Sequence, residues 1–231
     1  MDFERYRCLS FDCYGTLIDW ESGLLSSLRP LLNHHRVEVC DRELLELYAQ
    51  HEAKIEAAEY RPYKEVLREV LRELGKSFNF SPTSDELENF SVSVKNWPPF
   101  ADSGDALRAL QTKYRLIILS NIDDDLIKYS AKLLDVDFDE IFTAQRIGAY
   151  KPSLRNFQYL IKNAGVPQDQ VLHIAQSLFH DIAPAKQLGF STVWVNRQKG
   201  MEGFGATPPA ETEPDLEVPD MKKLAFLAGV I

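Results

Sequence analysis

A chain of 231 residues with 45% hydrophobic and 26% charged residues has the proportions of a globular protein, long enough to bury a core without disulfides or a structural metal. The formal net charge is −9 and no stretch concentrates Lys or Arg, so neither nucleic acid nor an anionic membrane is an expected partner. Cys8, Cys13 and Cys40 make no C-x-x-C spacing, no run approaches the ~18 apolar residues of a spanning helix, and the N-terminus lacks an apolar signal region, so a reducing, cytoplasmic setting is expected.

Residues 8–11 are the first short apolar run and read as a buried strand. From about Trp20 to Trp97 no strand pattern appears; helices are expected at 24–32, 41–60, 64–74 and 84–95, the last opened by Thr83-Ser84 with two acids in its first turn. An all-helical insert directly after the first strand projects over the carboxyl ends of the sheet strands, where open α/β sheets bind ligands, and reads as a cap. Helix and strand then alternate: helix 102–113, strand 116–119, helix 123–134, strand 141–143, helix 156–164, strand 171–175, helix 182–188 and strand 192–195. Asp123-Asp124-Asp125 reads as favourable charge on its helix's N-terminus rather than as a metal cluster, and Gly165 and Gly189 act as helix stops. Continuous apolar strands alternating with amphipathic helices indicate an α/β fold with an open parallel sheet. Residues 205–219, with four prolines, read as an extended surface segment before a last helix at 221–227.

The first strand delivers Phe11-Asp12-Cys13-Tyr14-Gly15-Thr16-Leu17. A carboxylate leaving a strand end into a glycine turn is surrounded by backbone N–H donors, which makes Asp12 a candidate nucleophile; a loop-capping Asp is the alternative. The second strand ends Leu119-Ser120-Asn121, groups that orient an acid or a substrate carboxylate. After the third comes Tyr150-Lys151-Pro152, and an ammonium close to Asp12 keeps it ionised. The fourth leads into Ala175-Gln176-Ser177-Leu178-Phe179-His180-Asp181.

Asp12, Ser120, Lys151 and Asp181 match, in this order, the four motifs of the haloacid dehalogenase superfamily, which the chain resembles over nearly its whole length. The resemblance implies a Rossmann-like parallel-sheet core, residues 1–19 and 98–231, with residues 20–97 as the inserted α-helical cap domain. Phosphatases of the superfamily carry Asp-x-Asp and bind Mg²⁺. Here Tyr14 replaces the second acid and the fourth motif reads Ala175-Gln176, so phosphate-ester hydrolysis is the disfavoured alternative and no metal or other cofactor is expected.

Asp-x-Tyr-Gly-Thr instead resembles the type II L-2-haloacid dehalogenases. That resemblance implies that Asp12 displaces the group at C2 of a small 2-substituted carboxylic acid, forming an alkyl ester that water then hydrolyses. It implies that Asp181 activates the water, that Lys151 offsets negative charge, and that Thr16 and Ser120 orient these groups. Tyr14, Cys13, Asn121, Ser177, Phe179, Arg61 and Gln50 are the substrate-binding candidates, and a homodimer is implied. The sequence departs from the pattern at Phe157, where the relatives carry Tyr, and at His180, an extra residue before the acid. The Arg that these enzymes carry in the cap has no counterpart; Tyr48-Ala49-Gln50 is the nearest stretch and Arg61 a substitute.

Phe11 to Trp20, Ser93 to Pro98, Leu119 to Asp123, Ser177 to Asp181 and Gly203 to Thr207 also resemble the L-azetidine-2-carboxylate hydrolases, which open a strained amine ring. An amine must leave protonated, and Tyr14, His180 or Asp181 are candidates to help. A non-catalytic binding protein on the same scaffold is the remaining alternative, disfavoured by the joint presence of Asp12, Lys151 and Asp181. Trp20, Trp97, Phe100 and Phe179 are candidates for an apolar pocket wall. His34, His35 and His51 are expected in solvent, His173 as a hydrogen-bonded core residue and His180 in a loop or helix start.

Overall fold

The computed structural model describes residues 1–198, 207 and 210–231. Residues 203–206, part of the azetidine-hydrolase-like stretch, and Pro208 and Pro209 of the tail lie outside the described residues.

Six parallel strands form one sheet: β1 (Cys8–Phe11), β2 (Arg115–Ser120), β3 (Glu140–Thr143), β4 (Val171–Ala175), β5 (Ser191–Val195) and β6 (Leu216–Val218). Their spatial order is β3-β2-β1-β4-β5-β6. The order reverses between β1 and β4, and the carboxyl ends of strands flanking such a reversal open a crevice that open α/β sheets use for ligands. β1 and β4 are buried along their whole length. Both faces of the sheet are covered: Leu9, Phe11, Leu172 and Ile174 share a core with α5 (Ser103–Gln111) and α10 (Met221–Leu227). Cys8, Ile117, Leu119 and Val171 pack on the other side against α8 (Leu154–Asn163) and α9 (Ala183–Gln187).

Between β1 and α5 lie α1 (Trp20–His34), α2 (Asp41–Glu56), α3 (Tyr63–Ser77) and α4 (Ser84–Ser91), with no strand among them. Each presents one apolar stripe, such as Val66, Leu67, Val70, Leu71 and Leu74 of α3, all fully buried. Each such side chain removed from water is worth about 1.5–3 kcal/mol, which holds helices together that propensity alone would not. Gly23 of α1 sits under the Trp97 indole so closely that a Cβ there would lie 2.3 Å from Trp97 Cγ. α1 opens at Trp20, earlier than expected, because Asp19 accepts from the Ser22 N–H. α2 ends at Glu56 instead of residue 60; Pro62 removes a backbone donor and disfavours helical geometry at Arg61. α4 opens where expected, with Thr83 and Glu86 forming a capping box, but ends at Ser91 instead of residue 95.

The α6 helix (Ile127–Leu134) starts four residues later than expected. Asp123 does not serve its own helix: its carboxylate accepts from the N–H groups of Tyr63 and Lys64, capping α3 at 2.7 and 3.0 Å. Between β3 and α8 a one-turn helix, α7 (Ala144–Ile147), forms that the sequence reading did not include. The helix expected at 182–188 is a π-turn over Leu178–Ile182 running into α9. The tail is corrected too: Leu216–Val218 is not surface coil but the sixth strand, paired with β5 and with Val218 fully buried. Among the described residues no helix is long and apolar enough to cross a membrane.

Candidate active site

The turn after β1 places Asp12 at the centre of the sheet's carboxyl edge. Gly15 takes a left-handed φ of +89°, which lets residues 13–18 fold back so that the Leu17 and Ile18 N–H groups bond to the Cys13 carbonyl. Thr16 then lies beside the carboxylate, donating to Asp12 Oδ2 at 2.7 Å while its oxygen accepts from the Gln176 N–H at 2.8 Å. Arg197 holds the turn from behind. Its guanidinium donates to the Thr16 carbonyl at 2.8 Å, pairs with Asp102 at 2.7 Å and lies 4.1 Å from the Phe100 ring centroid. Phe100 therefore supports the turn instead of lining the pocket.

Lys151 reaches in from the loop after α7, and its Nζ makes three contacts: Asp12 Oδ1 at 2.8 Å, Asp181 Oδ1 at 2.7 Å and the Leu119 carbonyl at 2.9 Å. All three side chains are buried. Asn121 fixes the lysine backbone from both sides, accepting from the Lys151 N–H at 2.7 Å and donating to its carbonyl at 3.0 Å. One ammonium thus serves two carboxylates. Burial pushes the Asp12 carboxyl up against the pull of Lys151 and Thr16; burial also acts to raise Asp181, but Lys151 and His173 outweigh it and hold that carboxyl below the usual range. Among the described residues no group of three His, Cys, Asp or Glu side chains is arranged to hold a metal ion.

Asp12, Lys151 and Asp181 line a cavity of about 50 Å³, space for roughly four water-sized bodies. Tyr14, Ser120, Asn121 and Ser177 also line it, as do Trp20, Gln176 and Thr207. Ser120 Oγ is buried without a hydrogen-bond partner among the described residues, an orphan hydroxyl in the wall. Tyr14 is oriented away from any role as a proton donor over Asp12: its phenol bonds Ser130 at 2.9 Å and its ring packs edge-on against Trp97. His180 lines the cavity as well, and burial lowers its imidazole to about 4, which keeps it neutral at pH 7.

Four of the seven substrate-binding candidates are not brought to this cavity. The Cys13 side chain is fully buried in the hydrophobic core, because the turn directs it back onto the sheet. Gln50 is exposed on α2. Arg61, half-buried, enters the network through its carbonyl, which accepts from Tyr150 Oη at 2.8 Å, and its guanidinium is not part of the wall. Phe179 lines a neighbouring cavity of about 600 Å³, which shares Glu56, Lys151 and His180 with the first. Of the cap histidines, His35 is not in solvent: it is half-buried, bonded to Glu86 at 2.9 Å and stacked on Phe80.

Sequence reasoning missed the acids of α2. Glu52 accepts from Tyr48 Oη at 2.8 Å and Tyr63 Oη at 2.6 Å; Glu56 accepts from Asn121 at 3.2 Å. Both carboxyls line the Asp12 cavity; burial pushes Glu52 up to about 7 and Glu56 well above the carboxylate range. Glu52 and Glu56 are four apart, one turn on the same helix face as Tyr48. A polar stripe at 48, 52 and 56 in an otherwise apolar-faced helix was the available signal.

Comparison with known proteins follows the same lines. A family model for haloacid dehalogenase-like hydrolases matches residues 6–189. The (S)-2-haloacid dehalogenase 4A of Burkholderia cepacia is 24% identical over 203 residues, covering 84% of this chain and 85% of that protein. The (S)-2-haloacid dehalogenase of Pseudomonas fluorescens is 26% identical over 204 residues, covering 82% and 84%. Among solved structures, the L-2-haloacid dehalogenase of Xanthobacter autotrophicus with chloropropionic acid covalently bound shares the fold, with a TM-score of 0.80 at 20% identity over 97% of this chain and 98% of that one. The matched residues take in β1 to β4 and all four strand-end groups, Asp12, Ser120, Lys151 and Asp181, and the chain belongs to the haloacid dehalogenase-like hydrolases.

Proposed function

We propose that the protein hydrolyses small 2-substituted carboxylic acids through an ester on Asp12, with hydrolytic dehalogenation of L-2-haloalkanoic acids as the reaction. The observation that carries this is the buried set Asp12–Lys151–Asp181, with Tyr14 in place of a second acid. Asp12 is held for attack: Thr16 and Lys151 each bond one of its oxygens, fixing the carboxylate and leaving lone pairs toward the cavity. An Asp12 oxygen forms a bond to C2 as the carbon–halogen bond breaks, and the halide leaves with its electron pair and needs no proton. Asp181 then takes a proton from water as the hydroxide adds to Asp12 Cγ. The Cγ–O(alkyl) bond breaks, the proton on Asp181 passes to the 2-hydroxy acid, and the water's second proton is released to solvent as the Asp12 carboxylate is regenerated carrying one water oxygen. Ser120 Oγ, a wall hydroxyl unpartnered among the described residues, is the group suited to the substrate carboxylate, while Asn121 is engaged with Lys151 and Glu56. In this reading residues 20–97 act as the cap and residues 1–19 with 98–231 as the core.

A second reading rests on Glu52 and Glu56. Where a halide would require a cation, the α2 side of this cavity offers two carboxyls, and Lys151 is the sole Lys or Arg among its described lining residues. A protonated ring nitrogen fits that wall, and the Asp12 chemistry opens a C–N bond of L-azetidine-2-carboxylate as it opens a C–halogen bond. The two readings separate in one assay with both substrates. Chloride release from L-2-chloropropionate supports the first, and formation of the 2-hydroxy-4-amino acid supports the second. In either case Asp12→Asn abolishes turnover, and ¹⁸O from labelled water enters Asp12 in single turnover; turnover surviving Asp12→Asn refutes both.

A further inference from the structure

His173 is a polar residue in the middle of the apolar strand Val171-Leu172-His173-Ile174-Ala175 and is fully buried. Placing an imidazole there costs desolvation that Leu or Val would avoid, unless its nitrogens are satisfied. Both are. Nδ1 lies 2.6 Å from Ser10 Oγ on the adjacent strand β1, and Nε2 lies 3.0 Å from Asp181 Oδ1; the Phe157 ring packs edge-on at 5.1 Å. An ionised carboxylate oxygen only accepts, so Nε2 carries the proton, and the neutral ring then takes the Ser10 O–H at Nδ1. His173 is not among the cavity's lining residues and touches no substrate.

The consequence falls on Asp181. Its Oδ1 receives two donors, Lys151 Nζ and His173 Nε2, whereas Oδ2 is buried with no partner among the described residues. We infer that His173, with its tautomer set by Ser10, is a positioning residue for ester hydrolysis: it locks Asp181 by Oδ1 and reserves Oδ2 as the oxygen that takes the proton from water. The inference rests on the reaction proposed above, in which Asp181 acts only in the second step. The ionisable groups around Asp181 are Lys151, Asp12, His173 and His180, with Glu52 and Glu56 across the cavity; of these Lys151 and His173 bond it directly.

Because His173 acts on the second step alone, its removal separates the steps. Rapid-quench mass spectrometry with L-2-chloropropionate and with L-azetidine-2-carboxylate follows ester appearance on Asp12 and its loss. In His173→Leu the loss slows about 10- to 100-fold, the size expected for one donor to a charged group. Ester appearance changes little, ester accumulates, and the acid limb of hydrolysis moves to higher pH. His173→Gln, whose amide donates toward Oδ1, restores most of the rate. Ser10→Ala, milder and kept in reserve should His173→Leu fail to fold, shows the same step selectivity at smaller size. Equal slowing of both steps with the acid limb in place, or unchanged ester loss in His173→Leu, overturns this inference alone. Absence of ester from the wild type with both substrates overturns the proposed reaction and the inference with it.

Discussion

Replacing Lys151 by Met tests the electrostatic logic of the site, because activity and stability should then move in opposite directions with pH. The ammonium is within 2.8 Å of Asp12 and 2.7 Å of Asp181, and all three groups are buried. At an effective dielectric of about 20 each contact carries roughly 6 kcal/mol of attraction, and removing one partner of a buried pair costs about 3–5 kcal/mol net because the remaining charge is stranded. Here two charges are stranded, so the variant relieves itself by protonating one. That proton goes to Asp12, which burial already pushes up, while His173 still holds Asp181 low. The same 3–5 kcal/mol corresponds to about two to three and a half pH units, at about 1.4 kcal/mol per unit. Ester formation in Lys151→Met therefore has its acid limb about two to three and a half units higher than in wild type, so it is slower at neutral pH and regains rate toward alkaline pH. Stability runs the other way. A carboxyl raised in the folded state binds a proton that the unfolded chain releases above about pH 4, so the deficit against wild type is small at pH 5 and grows toward pH 8. Single-turnover rates from pH 5 to 9 and urea unfolding at pH 5 and 8 measure both trends. An unmoved acid limb, or a stability loss equal at the two pH values, refutes the account.

Three further outcomes follow from the same geometry. Burial raises Glu52 to about 7, so between about pH 4.5 and 7 the wild type loses stability as pH rises; Glu52→Gln keeps the bonds from Tyr48 and Tyr63 and removes that slope, a gain of up to roughly 3 kcal/mol over wild type at pH 8 that urea unfolding shows to be absent at pH 4.5. Thr16→Val removes the donor to Asp12 and orphans the Gln176 N–H, lowering stability by about 1–3 kcal/mol and slowing ester formation about tenfold in rapid-quench assays. Gly23→Ala forces a methyl to within 2.3 Å of Trp97 Cγ, and repacking lowers stability by about 1–3 kcal/mol with a changed Trp signal in near-ultraviolet dichroism.

The elements that sequence reading located are those whose pattern is local. β1 and β4 are apolar runs covered on both faces, and their ends carry Asp12 and, within one turn, Asp181. Ser120 was legible for the same reason, as the last residue of β2, and Lys151 through the Tyr-Lys-Pro stretch in the loop that follows α7. What escaped depends on side chains meeting across the chain. Asp123 looks like the N-terminal acid of its own helix, but its carboxylate is spent on α3, sixty residues earlier in sequence from Tyr63. β6 is three residues between prolines, too short to show a period, and is defined only by its pairing with β5.

Missing a partner also misassigned the substrate wall. Gln50 and Arg61, the candidates for the missing cap Arg, are kept out of the cavity, while Glu52 and Glu56, which the sequence did not single out, line it. The polar stripe at 48, 52 and 56 marks one face of α2, but what buries Glu52 against Tyr48 and Tyr63 is how α2 and α3 pack over the crevice. The net charge of −9 takes on a local meaning here. The site adds carboxyls to an acidic protein, so a carboxylate substrate must be drawn by Lys151 and a directed donor, Ser120 Oγ, with no help from the overall field. Glu52 and Glu56 are compatible with that substrate only while neutral or while facing a positive group on it. With both carboxyls pushed up by burial, binding of an anionic haloacid should weaken as pH rises through about 7, whereas a substrate bearing an ammonium should bind better over the same range. KM measured against pH for each substrate reads that difference directly, and opposite slopes on the two substrates are the result this geometry requires.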